Sequence, residues 1–168
     1  VILNVEPLPT VELRDILPEN NKRVNIIPPI LTNDSEGFID TTYKLEAMGY
    51  KEVNLNLGCP SRTVVSKNRG SGFLAKREEL DRFLDDIFKG SKMKISIKTR
   101  IGRDNPEEFY ELIKIYNKYP LEELIIHPRT QKDYYGNTPN LKVFEDTIKV
   151  SKNKIGYNGD IFTTKNNY

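Results

Sequence analysis

Five short β-type runs, separated by helical patterns, set the strongest limit on what this chain can fold into. The runs Arg23–Ile27, Glu52–Leu57, Lys94–Lys98, Glu123–His127 and Lys154–Asn158 recur at intervals of roughly 30 to 40 residues, which demands parallel strands joined by helical crossovers. Val53, Leu55 and Leu57 alternate with Asn54 and Asn56, Ile95 and Ile97 share one face, and Leu124-Ile125-Ile126 is the continuous apolar run of a strand covered on both sides. Between them the spacing predicts helices over about Phe38–Met48, Arg77–Lys89, Pro106–Lys118 and Leu141–Val150. Asp34-Ser35-Glu36 supplies cap-type residues for the first helix, Gly49 and Gly90 stop helices, and Pro106 suits a first helical position. Ahead of these lie a short possible strand at Val1–Val5 and a single helical turn at Glu12–Leu17.

The architecture is therefore α/β, and a doubly wound sheet or a (β/α)8 barrel fits the repeat. The chemically loaded residues decide between them. Cys59, Lys98 with Arg100, His127 with Arg129, and Asn158 to Asp160 all fall at C-terminal ends of separate strands. Convergence of many strand ends on one face is barrel behaviour.

The most unusual stretch is Val53–Leu74, VNLNLGCPSRTVVSKNRGSGFL. Cys59-Pro60 turns the chain just past the strand, because proline fixes φ and has no N–H. From Ser61 to Lys76 no helical or strand period persists, and Ser66 to Gly72 combines cationic side chains with glycine backbone, a loop suited to an anion. On residues alone a single cysteine is ordinarily a small buried hydrophobe and a single histidine a core residue.

The wider pattern points elsewhere. Leu55-Asn56-Leu57-Gly58-Cys59-Pro60, followed by Val64-Val65, Lys67, Gly70 and Ser71-Gly72-Phe73-Leu74, resembles the cysteine motif of the tRNA-dihydrouridine synthases. Ile97-Lys98-Thr99-Arg100 resembles that family's lysine strand, Ile126-His127-Pro128-Arg129-Thr130 with Tyr135-Gly136 its histidine strand and loop, and Tyr157-Asn158-Gly159-Asp160-Ile161 its late phosphate-side motif. The four strings occur in the family's order, and the likeness runs from about Glu12 to the last residue.

The resemblance implies a flavin-binding TIM barrel, of which residues 1–168 are part of one catalytic domain. It implies FMN as cofactor, NADPH as reductant and tRNA as partner, with reduction of the uridine C5=C6 bond. Cys59 becomes the proton donor, a task that suits thiols in general, which are mostly protonated at neutral pH. Lys98 and His127 face the polar edge of the flavin, and Asn158, Gly159 and Asp160 its phosphate. Asn56, Arg100 and Arg129 fall near the substrate base and its phosphate, and Arg62, Lys67, Arg69 and Lys132 extend a cationic rim toward RNA. Tyr134 and Tyr135 are candidates to stack on a base.

Two departures stand out. Pro29 occupies a position where the family usually has a glutamine that contacts the flavin, and Pro128 stands where many members have glycine. A barrel needs eight strands and typically ~250 residues; against that pattern the first strand, the eighth strand and a C-terminal tRNA-gripping helical domain are expected to lie outside this sequence. Rival readings are a flavin barrel acting on a free pyrimidine and a non-catalytic RNA-binding relative.

Bulk properties exclude other classes. Lys and Arg number 26 against 24 Asp and Glu, so net charge does not by itself demand nucleic acid. No apolar run approaches the roughly 18 residues of a membrane helix. A single cysteine leaves neither an internal disulfide framework nor a cysteine-cluster metal site. The lone cysteine and the absence of a visible signal peptide suit a cytoplasmic protein, expected to be a monomer when complete.

Overall fold

The computed structural model describes residues 26–160 together with Leu3, Leu17, Asn20 and Asn21. Five parallel strands form one sheet in the order β1 to β5: β1 Pro29–Ile30, β2 Glu52–Leu57, β3 Lys94–Arg100, β4 Leu124–His127 and β5 Ile155–Tyr157. Helices α1 Ser35–Ala47, α3 Arg77–Gly90, α4 Phe109–Tyr116 and α5 Leu141–Val150 carry the chain from each strand to the next, with a one-turn helix α2 Arg62–Val65 after β2. Each strand pairs with the one before it in sequence, so the order never reverses. A doubly wound sheet reverses at its switch point; unbroken sequential order is the winding of a (β/α)8 barrel, of which these are consecutive units.

Alternation along the strands separates two faces. Val53, Leu55, Leu57, Ile95, Ile97, Leu124 and Ile126 are buried beneath the helices, where they meet Phe38 and Leu45 of α1, Leu80, Phe83, Leu84 and Ile87 of α3, and Phe109, Leu112 and Tyr116 of α4. Each such side chain contributes about 1.5–3 kcal/mol when fully buried. Phe83 sits edge-on to both Phe38 and Phe73, which ties α1 and the segment after Cys59 to α3. The opposite face carries Asn54, Asn56, Ser96, Lys98, Arg100 and His127, almost all polar. Register places Asn56 beside Lys98 and Arg100 beside His127.

Several boundaries differ from the sequence expectation. The first strand lies not at Arg23–Ile27 but at Pro29–Ile30; of the former, residues 23–25 fall outside the described residues and Ile27 lies outside any strand. Prolines ordinarily terminate a strand, yet Pro28 and Pro29 serve as acceptors: the Asn54 N–H donates to the Pro28 carbonyl and the Leu3 N–H to the Pro29 carbonyl, and neither position needs the N–H that proline lacks. Leu3 bridges Ile30 in parallel, while the rest of the expected Val1–Val5 strand and all of Glu12–Leu17 except Leu17 lie outside the described residues.

The segment 61–76 is not structureless. It contains α2 and a 3-10 helix at Gly70–Ala75 that packs Phe73 and Leu74 into the core. Helix α1 starts earlier than expected, at Ser35, and Asp34 makes no side-chain cap; Thr32 accepts from the Asp34 N–H, and Ser35 donates to Asp86 of α3. β3 runs on to Arg100. The helix expected from Pro106 divides into a 3-10 turn at Pro106–Glu108, closed by an Asn105–Glu108 capping box, and α4, which ends at Tyr116. α5 has the expected bounds.

Candidate active site

The polar residues gather at the C-terminal edge of β2, β3 and β4. Asn56 fixes the first corner: its Oδ1 accepts from the N–H groups of Gly58 (3.0 Å) and Cys59 (3.2 Å), so the chain bends immediately past β2. The Cys59 carbonyl is held by the Ser71 N–H (3.0 Å) and hydroxyl (2.9 Å). Gly70 makes that return possible. Its φ is +55°, and a Cβ there would stand 2.7 Å from the Cys59 oxygen and 2.9 Å from Val64 Cγ1. The thiol is free and half-buried.

Lys98 is the register partner of Asn56 and sits half-buried on the same face. Among the described residues its ammonium has neither hydrogen bond nor ion pair. Burial first, then the neighbouring Arg100 charge, pull its pKa below the ordinary lysine value. A half-buried cation without a protein partner is a donor held ready for an anionic or electron-rich ligand.

Arg100 and Arg129 are differently disposed. Arg100 is 1% exposed and joins two loops, donating from Nε to the Gly58 carbonyl (2.9 Å) and from Nη1 to the Thr130 carbonyl (2.9 Å). The ring of Tyr135, itself largely exposed, lies over its guanidinium with 5.4 Å to the centroid. Arg129 is 4% exposed and donates to the carbonyls of Gly136 and Asn137, to both carboxylate oxygens of Asp160, and to His127 Nε2 at 3.0 Å. The Asp160 carboxylate raises the Arg129 pKa, and Arg129 in turn lowers that of Asp160.

His127 is buried, with Tyr135 tilted toward it at 6.4 Å between ring centroids. Burial, then the charges of Arg100, Lys98 and Arg129, push its pKa down to about 4, opposed by Asp160. The imidazole is therefore neutral at physiological pH.

Asn158, Gly159 and Asp160 follow β5. The Asn158 N–H donates to the Ile126 carbonyl, which extends the ladder by one residue, and the Asp160 side chain is drawn to Arg129. Ile161, the end of that motif, lies outside the described residues. Of the cationic rim, Arg62 and Lys67 are exposed, Arg69 donates to Asn33, and Lys132 pairs with Asp104. Pro29 faces the same side as Asn54, one step below the level of Asn56 and Lys98.

Sequence reading missed Ser71, Thr130 and Asp133 as builders of the site. Asp133 Oδ2 accepts from both the N–H and the hydroxyl of Thr130 at 2.8 Å, closing the loop that carries Arg129. The Thr-x-x-Asp spacing is a local side-chain-to-backbone signal that could have revealed it.

Residues 9–167 match the family model described as dihydrouridine synthase (Dus). A protein of Staphylococcus aureus named probable tRNA-dihydrouridine synthase is 33% identical over 132 residues, covering 75% of this chain and 40% of the relative. Proteins with the same name from Staphylococcus epidermidis and Rickettsia prowazekii are 30% and 29% identical, covering 75% and 69% of this chain. The chain spans 40% or less of the length of these curated relatives.

Proposed function

Because the chain belongs to the dihydrouridine synthase family, we propose that it forms the cofactor and proton-donor face of an enzyme that reduces uridine to dihydrouridine in tRNA. The observation that carries this reading is the juxtaposition, at one edge of a parallel sheet, of a free half-buried thiol and a half-buried ammonium that has no partner among the described residues.

The residues suit FMN. Lys98 is a cation with no partner among the described residues, and neutral His127 retains one ring N–H; together they offer donors to the polar edge of an isoalloxazine. When bound, reduced FMN supplies a hydride to uracil C6, with NADPH as the reductant that restores it. Cys59 completes the addition: its S–H bond breaks, the proton goes to C5, and the thiolate left behind takes a proton from solvent. Asn56 and Gly70 fix where that sulfur stands, since one holds the turn before it and the other lets the loop close over its carbonyl. Arg62 and Lys67 offer charge to the tRNA backbone, which implies binding that weakens as salt rises. A cytoplasmic location follows from a tRNA substrate.

The test is dihydrouridine formation in tRNA by the intact protein with FMN and NADPH. Cys59→Ala should retain flavin and lose about 10²–10⁴-fold in rate, the usual worth of a positioned acid. An Ala variant that reduces tRNA at the wild-type rate would overturn the role of Cys59. Wild-type turnover of free uracil with none of tRNA would overturn the substrate.

A further inference from the structure

Arg129 occupies a position where a substrate contact is expected, yet its guanidinium is fully engaged by the protein. An arginine has five N–H donors and no acceptor. Here Nε serves the Gly136 and Asn137 carbonyls, Nη2 serves Asn137 and Asp160 at 2.8 and 2.6 Å, and Nη1 serves Asp160 and His127. Each N–H is thus directed to an acceptor within the fold.

The contact with His127 has a consequence for the ring. Since arginine can only donate, the ring nitrogen 3.0 Å from Nη1 must accept, and Nε2 carries no hydrogen. We propose that Arg129 is a positioning residue that, clamped by Asp160 and the Gly136 and Asn137 carbonyls, fixes His127 as the neutral Nδ1–H tautomer. Nδ1 is then the ring's one N–H donor. Only the functional consequence, that this N–H serves the flavin edge, rests on the proposed function; the tautomer itself does not.

The surroundings reinforce the assignment. The charged groups facing the ring are Lys98 and Arg100 from β3, Arg129 from its own loop and Asp160 from the loop after β5, with the Tyr135 ring beside it. Three cations against one carboxylate disfavour an imidazolium, and that carboxylate is already paired with Arg129. A Lys at 129 could donate to His127 but could not hold Asp160 and two carbonyls in the same plane.

The experiment is long-range ¹⁵N–¹H NMR of the imidazole in the intact protein, with the His127 signal assigned by its loss in His127→Gln. The wild type should show a protonated Nδ1 and an unprotonated Nε2 from pH 8 to pH 5. Arg129→Gln should give mixed tautomers and a midpoint moved from about 4 toward 6.5, and Arg129→Lys should restore the tautomer in part. Asp160→Asn, which leaves both His127 and Arg129 in place, should move the tautomer ratio in the same direction by less, and it serves if Arg129→Gln does not fold. A wild-type ring protonated at Nε2, or an unchanged tautomer in a folded Arg129→Gln protein, would overturn the proposal. FMN titration separates the two readings: a wild type with the expected tautomer that binds no FMN supports the positioning role and overturns the flavin role of His127.

Discussion

The two faces of strands β2 to β4 share one backbone and differ in nearly everything else. On the helix side Leu55, Ile97 and Ile126 are sealed among other apolar side chains. On the other side Asn56, Lys98, Arg100 and His127 stand in adjacent register positions: Asn56 accepts from two loop N–H groups, Arg100 donates to two loop carbonyls, His127 accepts from Arg129, and Lys98 meets no partner among the described residues. One face contributes to stability through buried area, while the other holds cations that burial makes unfavourable. The strands that build the core thus also carry a row of polar side chains that the core must support.

This contrast can be broken from either side. The largest effect expected is on rate alone: Cys59→Ala lowers uridine reduction by about 10²–10⁴-fold, or ~3–5 kcal/mol in the barrier, with an unfolding midpoint close to wild type. Leu55→Ala lies one residue from Asn56 but faces the helices; it should lower stability by about 2–5 kcal/mol, measured by urea unfolding. If Leu55→Ala left stability unchanged, the division into two faces would be wrong.

His127 sharpens the comparison through pH. Its pKa falls from 6.5 to about 4 on folding, so between those values the unfolded chain binds more protons than the folded one. The neutral ring's contribution is fully present above pH 6.5 and is lost as pH falls toward 4, by up to about 3 kcal/mol. Asp160, whose pKa is lowered by Arg129, acts in the more acidic window below the ordinary carboxylate value. His127→Gln should remove the upper window and leave the lower one. The smallest effect is expected for Lys98→Met, which should leave stability within about 1 kcal/mol of wild type or raise it, since a half-buried charge with no partner among the described residues is removed, and should weaken flavin binding.

What the sequence made legible follows the same division. Alternation located β2 and β3, and the apolar stripe of α3 gave its bounds to within a residue, because burial against one face imposes a period. The short helices within 61–76 have one turn or little more, too brief for a period to register, and glycine at 70 and 72 disguised a 3-10 turn as a loop. β1 was displaced because proline punctuates most strands, and only the pairing partner shows whether its missing N–H matters. The residues at the strand ends were visible as a set. Their bonds were not: Arg129 and Asp160 are 31 residues apart in sequence and meet only because β4 and β5 are neighbours in the sheet. Spacing can place two charged groups on one edge without revealing which acceptors each will take.

Whether the polar face seats a flavin is tested most directly by a visible absorbance spectrum of the intact protein, recorded after FMN is added and excess removed. The expected result is a retained flavin band that weakens in Lys98→Met and persists in Cys59→Ala. A wild-type protein that is folded and carries no flavin band after this treatment would contradict it.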